Sequence, residues 1–359
     1  MLQEELLIDG AHGEGGGQIL RTGLALAALL GRSVQFTRIR AGRRRPGLAA
    51  QHLTAVRAAA ALCAATLHGD ALDSQELRFA PQRPVRSGSY AFDVAAARTG
   101  GSAGGTSLVL QTILLPLALT AGRSDVVLQG GTHLTHSPSF DYLRDIWLPA
   151  LRCLGIRAGV ALNVWGWYPV GRGAIRAEIA GAPPQAGSLA TLNLLTPGPL
   201  LRITGRAVAA NLPEHIPQRM AERASALFAC LATNVDIRVE SVRAACAGAG
   251  IFLVAEHQHA RAGFSAVGVR GKPSEQVAEE AAEALLRYHS SGAAVDRHLA
   301  DQMLSPLSFA AGPSHLLVEQ VTRHLETNAS IIEQFGVAKV EMRQLASGTA
   351  EVVVTPQAQ

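Results

Sequence analysis

A chain of 359 residues with 48% hydrophobic and 17% charged side chains and a mean hydropathy of +0.17 is long enough for two or three domains and lies outside the disordered class. Its net charge is only +4, yet of 32 basic residues just Lys272 and Lys339 are lysines; arginine's planar fork suits phosphate and carboxylate, with GC-rich coding as the plain alternative. Aromatic residues make up 4%, which disfavours a base-stacking surface and leaves phosphates as the handle for any nucleic acid.

The acidic start MLQEELLIDG has no basic region leading into an apolar run, so no secretory signal is expected and the cytoplasm is the default address. Residues 5–9 read as a strand that runs into a glycine turn at 10–17, and 18–30 has helical apolar spacing. Bare amides and a helix N-terminus make 13–17 an anion cradle, although GxxxxGK[ST] is absent and Gln18 stands where a dinucleotide fingerprint needs its last glycine. A purely structural turn is the alternative. Glu14 inside the turn, with Gln18 and Arg21 on one helix face, points to a metal-nucleotide site. A strand at 33–39 leads into Arg38, Arg40, Arg43, Arg44 and Arg45, and a helix is predicted from Pro46 to about 66. Arg40 and Arg43, with Gln51 and His52 on that helix, offer donors for several phosphate oxygens, against the alternative of a solvated loop.

A second glycine loop at 100–105 precedes a predicted helix at 106–119, a strand at 125–129 and a further loop at 130–133. The apolar run at 108–121 is interrupted by Gln111, Thr112 and Pro116 and is shorter than the ~20 residues of a membrane span, so no membrane is expected. A third loop at 166–173 precedes a strand at 174–179, and the recurrence points to repeated αβ units. The stretch 181–187, with Pro183 and Pro184, marks a boundary; beyond it 207–267 reads as a smaller inserted unit with a helix at 214–231 and strands at 234–239 and 250–256. Helices at 275–288, 296–304 and about 327–335, a strand at 315–321 and a hairpin of 338–343 with 350–355 complete the chain. Cys63, Cys153, Cys230 and Cys246 show no CxxC spacing and are expected as buried thiols. His133 with His136, and His257 with His259, lack a third ligand at zinc-like spacing. His324 differs: it follows an apolar strand at the entrance to a helix carrying Thr327 and Asn328, where free amides would stabilise a phosphate placed on its ring.

These residues resemble the RNA 3'-terminal phosphate cyclases. The resemblance is carried by DGAHGEGGGQILR at 9–21, IRAGR with PGL and QHL between 39 and 53, SLVLQ at 107–111, GGT at 130–132, GWYP at 166–169, LADQ at 299–302 and HLETN at 324–328, in the family's order over nearly the whole chain. It implies an α/β fold: a large domain of three repeated βαβαββ-type units with a smaller inserted α/β domain, divided as 1–186, 187–290 and 291–359. The implied activity is that of a ligase, an ATP-dependent conversion of an RNA 3'-phosphate to a 2',3'-cyclic phosphate through a histidine-AMP intermediate and RNA(3')pp(5')A. His324 matches the adenylylated histidine. Gln111, Asp301 and Gln302 match the family's positions around the adenylate; His298, Leu299, Ala300, Gln18, Arg21 and Arg43 are expected to join them in binding ATP, Arg40, Arg43, Gln51 and His52 to take the substrate phosphates, and Glu14 to hold the divalent metal, magnesium or manganese, that the chemistry needs. RNA with a 3'-phosphate is the implied partner, and a homodimer is left open. Two departures stand out: His298 replaces an expected tyrosine, and Arg172 interrupts an expected glycine triplet. The rival class is a cyclase-like RNA-binding assembly factor without catalysis, against which His324 argues. A lysine-adenylylating ligase is disfavoured because neither lysine sits in a KxDG context.

Overall fold

Strand, turn and helix alternate from the first residues of the computed structural model, which describes residues 5–97, 103–182 and 189–357. β1 (Leu6–Asp9) passes through the glycine turn into α1 (Gly17–Leu30), closed by Gly31 in the left-handed conformation that spares a Cβ clash. With β2 (Val34–Thr37), α2 (Ala50–Cys63), β3 (Thr66–His68) and β4 (Leu77–Ala80) it builds a sheet ordered β1-β2-β4-β3, the first pair parallel and the rest antiparallel. The second sheet repeats this order and these senses as β5 (Ser89–Asp93), β6 (Gly122–Gly130), β8 (Gly173–Gly181) and β7 (Arg157–Val164). Its helices are α3 (Thr106–Ala118) and a stretch in which α4 (Phe140–Tyr142) continues through a π turn, Leu143–Trp147, into α5 (Leu148–Cys153).

After β9 (Asn193–Leu194) the chain builds a fourth sheet from β10 (Leu200–Ala210), β11 (Asn234–Val242), β12 (Gly248–His257) and β13 (Arg261–Val267), ordered β11-β10-β12-β13. α6 (His215–Phe228) and α7 (Ser274–Ser291) pack on it around Ile203, Phe228, Leu285 and Tyr288. The chain then returns as α8 (Arg297–Leu307), β14 (Ser314–Val318), α9 (Arg323–Phe335), β15 (Ala338–Gln344) and β16 (Ala350–Pro356). β9 and these strands form a sheet ordered β9-β14-β16-β15, with the senses of the first two.

α3 explains how these sheets share a core. Its sequence is apolar on every side, so it is buried all round, and Gln111 is its one residue not fully buried. α1 packs against α2, α3 and α9, and α8 against α9, which brings the starts of α1, α8 and α9 together. The mixed α/β expectation holds. Patterning missed β3, β4, β5, β7, β9, β10, β13 and the helical stretch at 140–153, most of them short, exposed or irregular.

Three expectations are corrected. α2 starts at Ala50 rather than Pro46, because Gly47 holds a φ of +78° and the segment before Ala50 is not yet helical. α9 starts at Arg323 rather than near 327, because Thr322 caps it by accepting from Leu325 N at 3.1 Å. Only Cys63 is a buried thiol; Cys153 and Cys230 lie exposed at helix ends and Cys246 is partly exposed. Residues 100–102 of the second glycine loop, and Pro183 and Pro184 with most of the expected boundary, lie outside the described residues. Among the described residues no helix is long and apolar enough to cross a membrane.

Candidate functional site

The glycine turn is locked onto the first turn of α9. Glu14 N donates to Thr327 Oγ1 at 3.0 Å, and a Cβ on Gly13, whose φ is +57°, would lie 2.3 Å from that oxygen. This docking sets Glu14 beside His324: Glu14 Oε2 lies 3.8 Å from His324 Nδ1, while Oε1 pairs with Arg43, which also donates to the Glu14 carbonyl at 3.3 Å. Glu14 is mostly buried, and Oε2 has no hydrogen-bond partner. The His324 ring is about half exposed. Burial, then Arg21, His298 and Arg43, hold its pKa below the ordinary histidine value, so the ring is neutral at neutral pH.

On α1, Gln18 accepts from Arg21 one turn on. Burial pushes the Arg21 guanidinium down to about 10, opposed by Asp301, and it stays charged. Gly17 leaves room for His52, whose Nε2 would lie 2.4 Å from a Cβ there. His52 is buried and caps the start of α2 by accepting from Ala49 N at 3.2 Å; burial with Arg40 and Arg21 pushes it down to about 3. Arg40 donates to Gly47 O at 2.7 Å and so braces its own loop. Gln51 accepts from Gly105 N at 3.2 Å, leaving its amide N–H groups without a partner among the described residues. Arg44 and Arg45 are exposed and make no ion pair among the described residues.

The nucleotide candidates converge on the start of α8. Asp296 caps this helix by accepting from His298 N and Leu299 N at 2.9 Å, and Tyr142 OH donates to it at 2.9 Å. Leu299 and Ala300 are core residues that fix the helix. Gln302 accepts from Gln111 Nε2 at 2.6 Å and donates to His298 O at 2.7 Å. Burial pushes Asp301 up to about 7, opposed by Arg21 and assisted by Asp296. Gln18, Arg21, Gln111, Asp301 and Gln302 line one cavity of about 40 Å³ together with Thr22, Trp147 and Asn328. Thr22 donates to Asn328, and Asn328 Nδ2 to Asp301 O at 2.8 Å, so α1, α8 and α9 are stitched by one chain of hydrogen bonds. Trp147, Tyr142 and Asp296 escaped the sequence reading, since the π turn that delivers Trp147, directly after Tyr142, has no signature in a single sequence.

His133 and His257, the leading histidines of the two pairs noted in the sequence, are engaged elsewhere. His133 is buried between Thr132 Oγ1 at 2.7 Å and Asp141 Oδ2 at 3.0 Å, and His257 faces His289 at 3.3 Å. Among the described residues no group of three or more His, Cys, Asp and Glu side chains is arranged to hold a metal. One orphaned carboxylate oxygen on Glu14 fits a divalent ion whose remaining ligands are phosphate oxygens and water. A larger cavity, about 310 Å³, lies between residues 139–146 and the open face of β10–β13. Its arginines are mostly matched by carboxylates: Arg206 by Asp141 at 2.8 Å and Glu240 at 2.6 Å, Arg144 by Asp141, and Arg202 and Arg261 by Glu256. None of the residues singled out above as a catalytic or binding candidate lines it.

Comparison with known proteins gives one family. The family described as RNA 3'-terminal phosphate cyclase matches residues 12–342. A protein of that name from Methylococcus capsulatus is 54% identical over 347 residues, covering 97% of this chain and 95% of the relative. One from Nostoc punctiforme is 50% identical over 339 residues, covering 94% and 96%, and one from Salmonella agona 40% over 331 residues, covering 92% of each.

Proposed function

Since the chain belongs to the RNA 3'-terminal phosphate cyclase family, we propose that it is a ligase that uses ATP to convert the 3'-terminal phosphate of an RNA into a 2',3'-cyclic phosphate. The observation that carries the reading is a neutral imidazole, His324, set in the first turn of α9 beside Glu14 and within the field of Arg21 and Arg43. The His324 ring attacks the α-phosphorus of ATP; a P–N bond forms, the bond to the β-phosphate breaks and pyrophosphate leaves. A terminal phosphate oxygen of the RNA then attacks the same phosphorus, the P–N bond breaks, and the ring departs neutral. Finally the neighbouring 2'-OH attacks the terminal phosphorus, loses its proton and expels AMP. Gln111, Asp301 and Gln302 hold the nucleotide base, with His298 in place of the family's tyrosine, while Leu299 and Ala300 fix their helix. Gln18 and Arg21 face the polyphosphate. Arg43, Arg40 and the free amide of Gln51 take the substrate phosphate, and His52, buried and neutral, supports them from beneath. A divalent ion held by Glu14 would neutralise phosphate charge.

The same reading covers the architecture and the setting. Three sheets of one topology support a large domain of three repeats, and a fourth sheet paired only within itself supports an inserted domain, divided as 1–186, 187–290 and 291–359, with Asn193–Leu194 remaining with the large domain through β14. The proposed address is the cytoplasm.

Incubation with α-labelled ATP and magnesium or manganese, without RNA, tests the nucleophile. The expected product is a covalent adduct that is acid-labile and base-stable, as a phosphoramidate is, and absent from His324→Asn. An adduct that persists in His324→Asn overturns the assignment.

A further inference from the structure

The glycine loop at 166–173 is a sequence motif that the proposed chemistry leaves unused. Trp167 anchors it. Its side chain is 1% exposed, its ring lies 5.1 Å from His133 and 5.8 Å from a parallel Trp165, and its carbonyl accepts from Gly171 N at 2.7 Å. The next side chain turns the other way: Tyr168 is 77% exposed, more than any other large apolar side chain among the described residues. Two exposed guanidiniums sit on the segments that meet here. Arg172 belongs to the loop, and Arg243 precedes Ala244, whose backbone bridges Trp165. Neither makes an ion pair or a hydrogen bond among the described residues. An exposed ring on a rigid, buried anchor, with unpaired arginines beside it, is the combination that single-stranded nucleic acid recognises by stacking and phosphate contact.

The loop is also continuous with the residues assigned to the substrate phosphate. Gly105 N donates to Gln51, Gly105 bridges Gly131, and Thr132 N donates to Gly166 O at 2.9 Å. With about 4–5 Å per backbone step, Tyr168 lies within roughly 25 Å of Gln51, the reach of a few nucleotides. We propose that Tyr168 is a stacking platform, and Arg172 and Arg243 phosphate contacts, for the single strand a few nucleotides upstream of the RNA 3'-phosphate. The proposal rests on the cyclase reading of the site. It also revises the expectation that phosphates alone are the handle, because one well-placed ring suffices where aromatics are scarce.

The test uses the full chain, a labelled single-stranded decanucleotide ending in a 3'-phosphate, and a dinucleotide ending the same way. Tyr168→Ala is expected to weaken decanucleotide binding, read by anisotropy without ATP, about ten-fold and to raise its KM by a similar factor, with kcat and the dinucleotide KM unmoved. Tyr168→Phe should retain the native values. Arg172 sits at φ +51°, a conformation glycine adopts freely, so Arg172→Gly removes the guanidinium without disturbing the backbone and should reduce the salt dependence of binding by about one counterion. Unchanged decanucleotide binding in Tyr168→Ala, or equal KM for the two substrates in the native protein, overturns the platform and leaves the loop to a protein partner. Labelling of the protein by ATP alone involves no RNA; its absence would sink the cyclase reading, while the binding comparison still decides the platform.

Discussion

Arg43 is tied to Glu14 by side chain and backbone, and Glu14 stands 3.8 Å from His324, so one exposed arginine bears on both the proposed phosphate site and the proposed nucleophile. Cations around His324 favour its neutral form; as pH falls through the lowered pKa the ring protonates and its lone pair is lost, so adenylylation should decline on the acid side with a midpoint below 6.5. Arg43→Gln removes one of those cations, raises the ring pKa and should move this acid limb to higher pH, besides lowering the rate. Arg45→Gln, at a side chain with no partner, should leave limb and rate in place. The rate of ATP labelling against pH measures both, and equal losses in the two variants would mean that bulk charge, not a positioned contact, explains the arginine cluster. This level was the most legible in the sequence, because Glu14, Arg43 and His324 each lie in a short contiguous motif whose chemistry is local. Tyr142 and Trp147 were not, because Tyr142 meets Asp296 across 154 positions of sequence and Trp147 reaches the cavity beside Gln111 only through a π turn.

Two helices depend on a single capping side chain. His52 caps the start of α2 through Nδ1, and its pKa of about 3 lies far below that of an exposed histidine. The native state therefore binds fewer protons than the unfolded chain between pH 6.5 and 3; the group's contribution is whole above pH 6.5 and is lost as pH falls across that window, at up to about 1.4 kcal/mol per unit. His52→Gln keeps an acceptor and removes the titration, so its urea-unfolding free energy should fall less steeply than the native one between pH 6.5 and 5. Parallel slopes would show that the ring is not buried neutral. α9 is the second case. Its capping threonine, Thr322, lies ahead of the apolar periodicity that signals the helix, so patterning started α9 about one turn late and left His324 outside a helix to which it belongs. Among the strands missed, β7, largely exposed, and β9, two residues long, carry too little pattern to register.

At the scale of the molecule, α3 and its neighbours form one core, while Arg206, held in its own sheet by Glu240 on β11, clamps the sheet β10–β13 to the stretch at 139–153 through Asp141 and lies 5.3 Å over Trp165. Asp141 is 4% exposed, so Arg206→Ala leaves a buried carboxylate short of a partner, a loss of about 1–3 kcal/mol given that the arginine itself is partly exposed. Faster proteolytic cleavage at 195–199, with labelling by ATP alone retained, is the expected result; unchanged cleavage would show that the clamp is not what holds the two parts together. The lock between Glu14 and Thr327 spans 313 positions of sequence. A growing polypeptide thus exposes its glycine turn long before α9 exists to cover it, and closing so distant a contact is slow on entropic grounds. Ribosome-bound chains stalled before residue 327 should therefore remain unlabelled by ATP, so that the proposed nucleotidyl transfer awaits the emergence of α9.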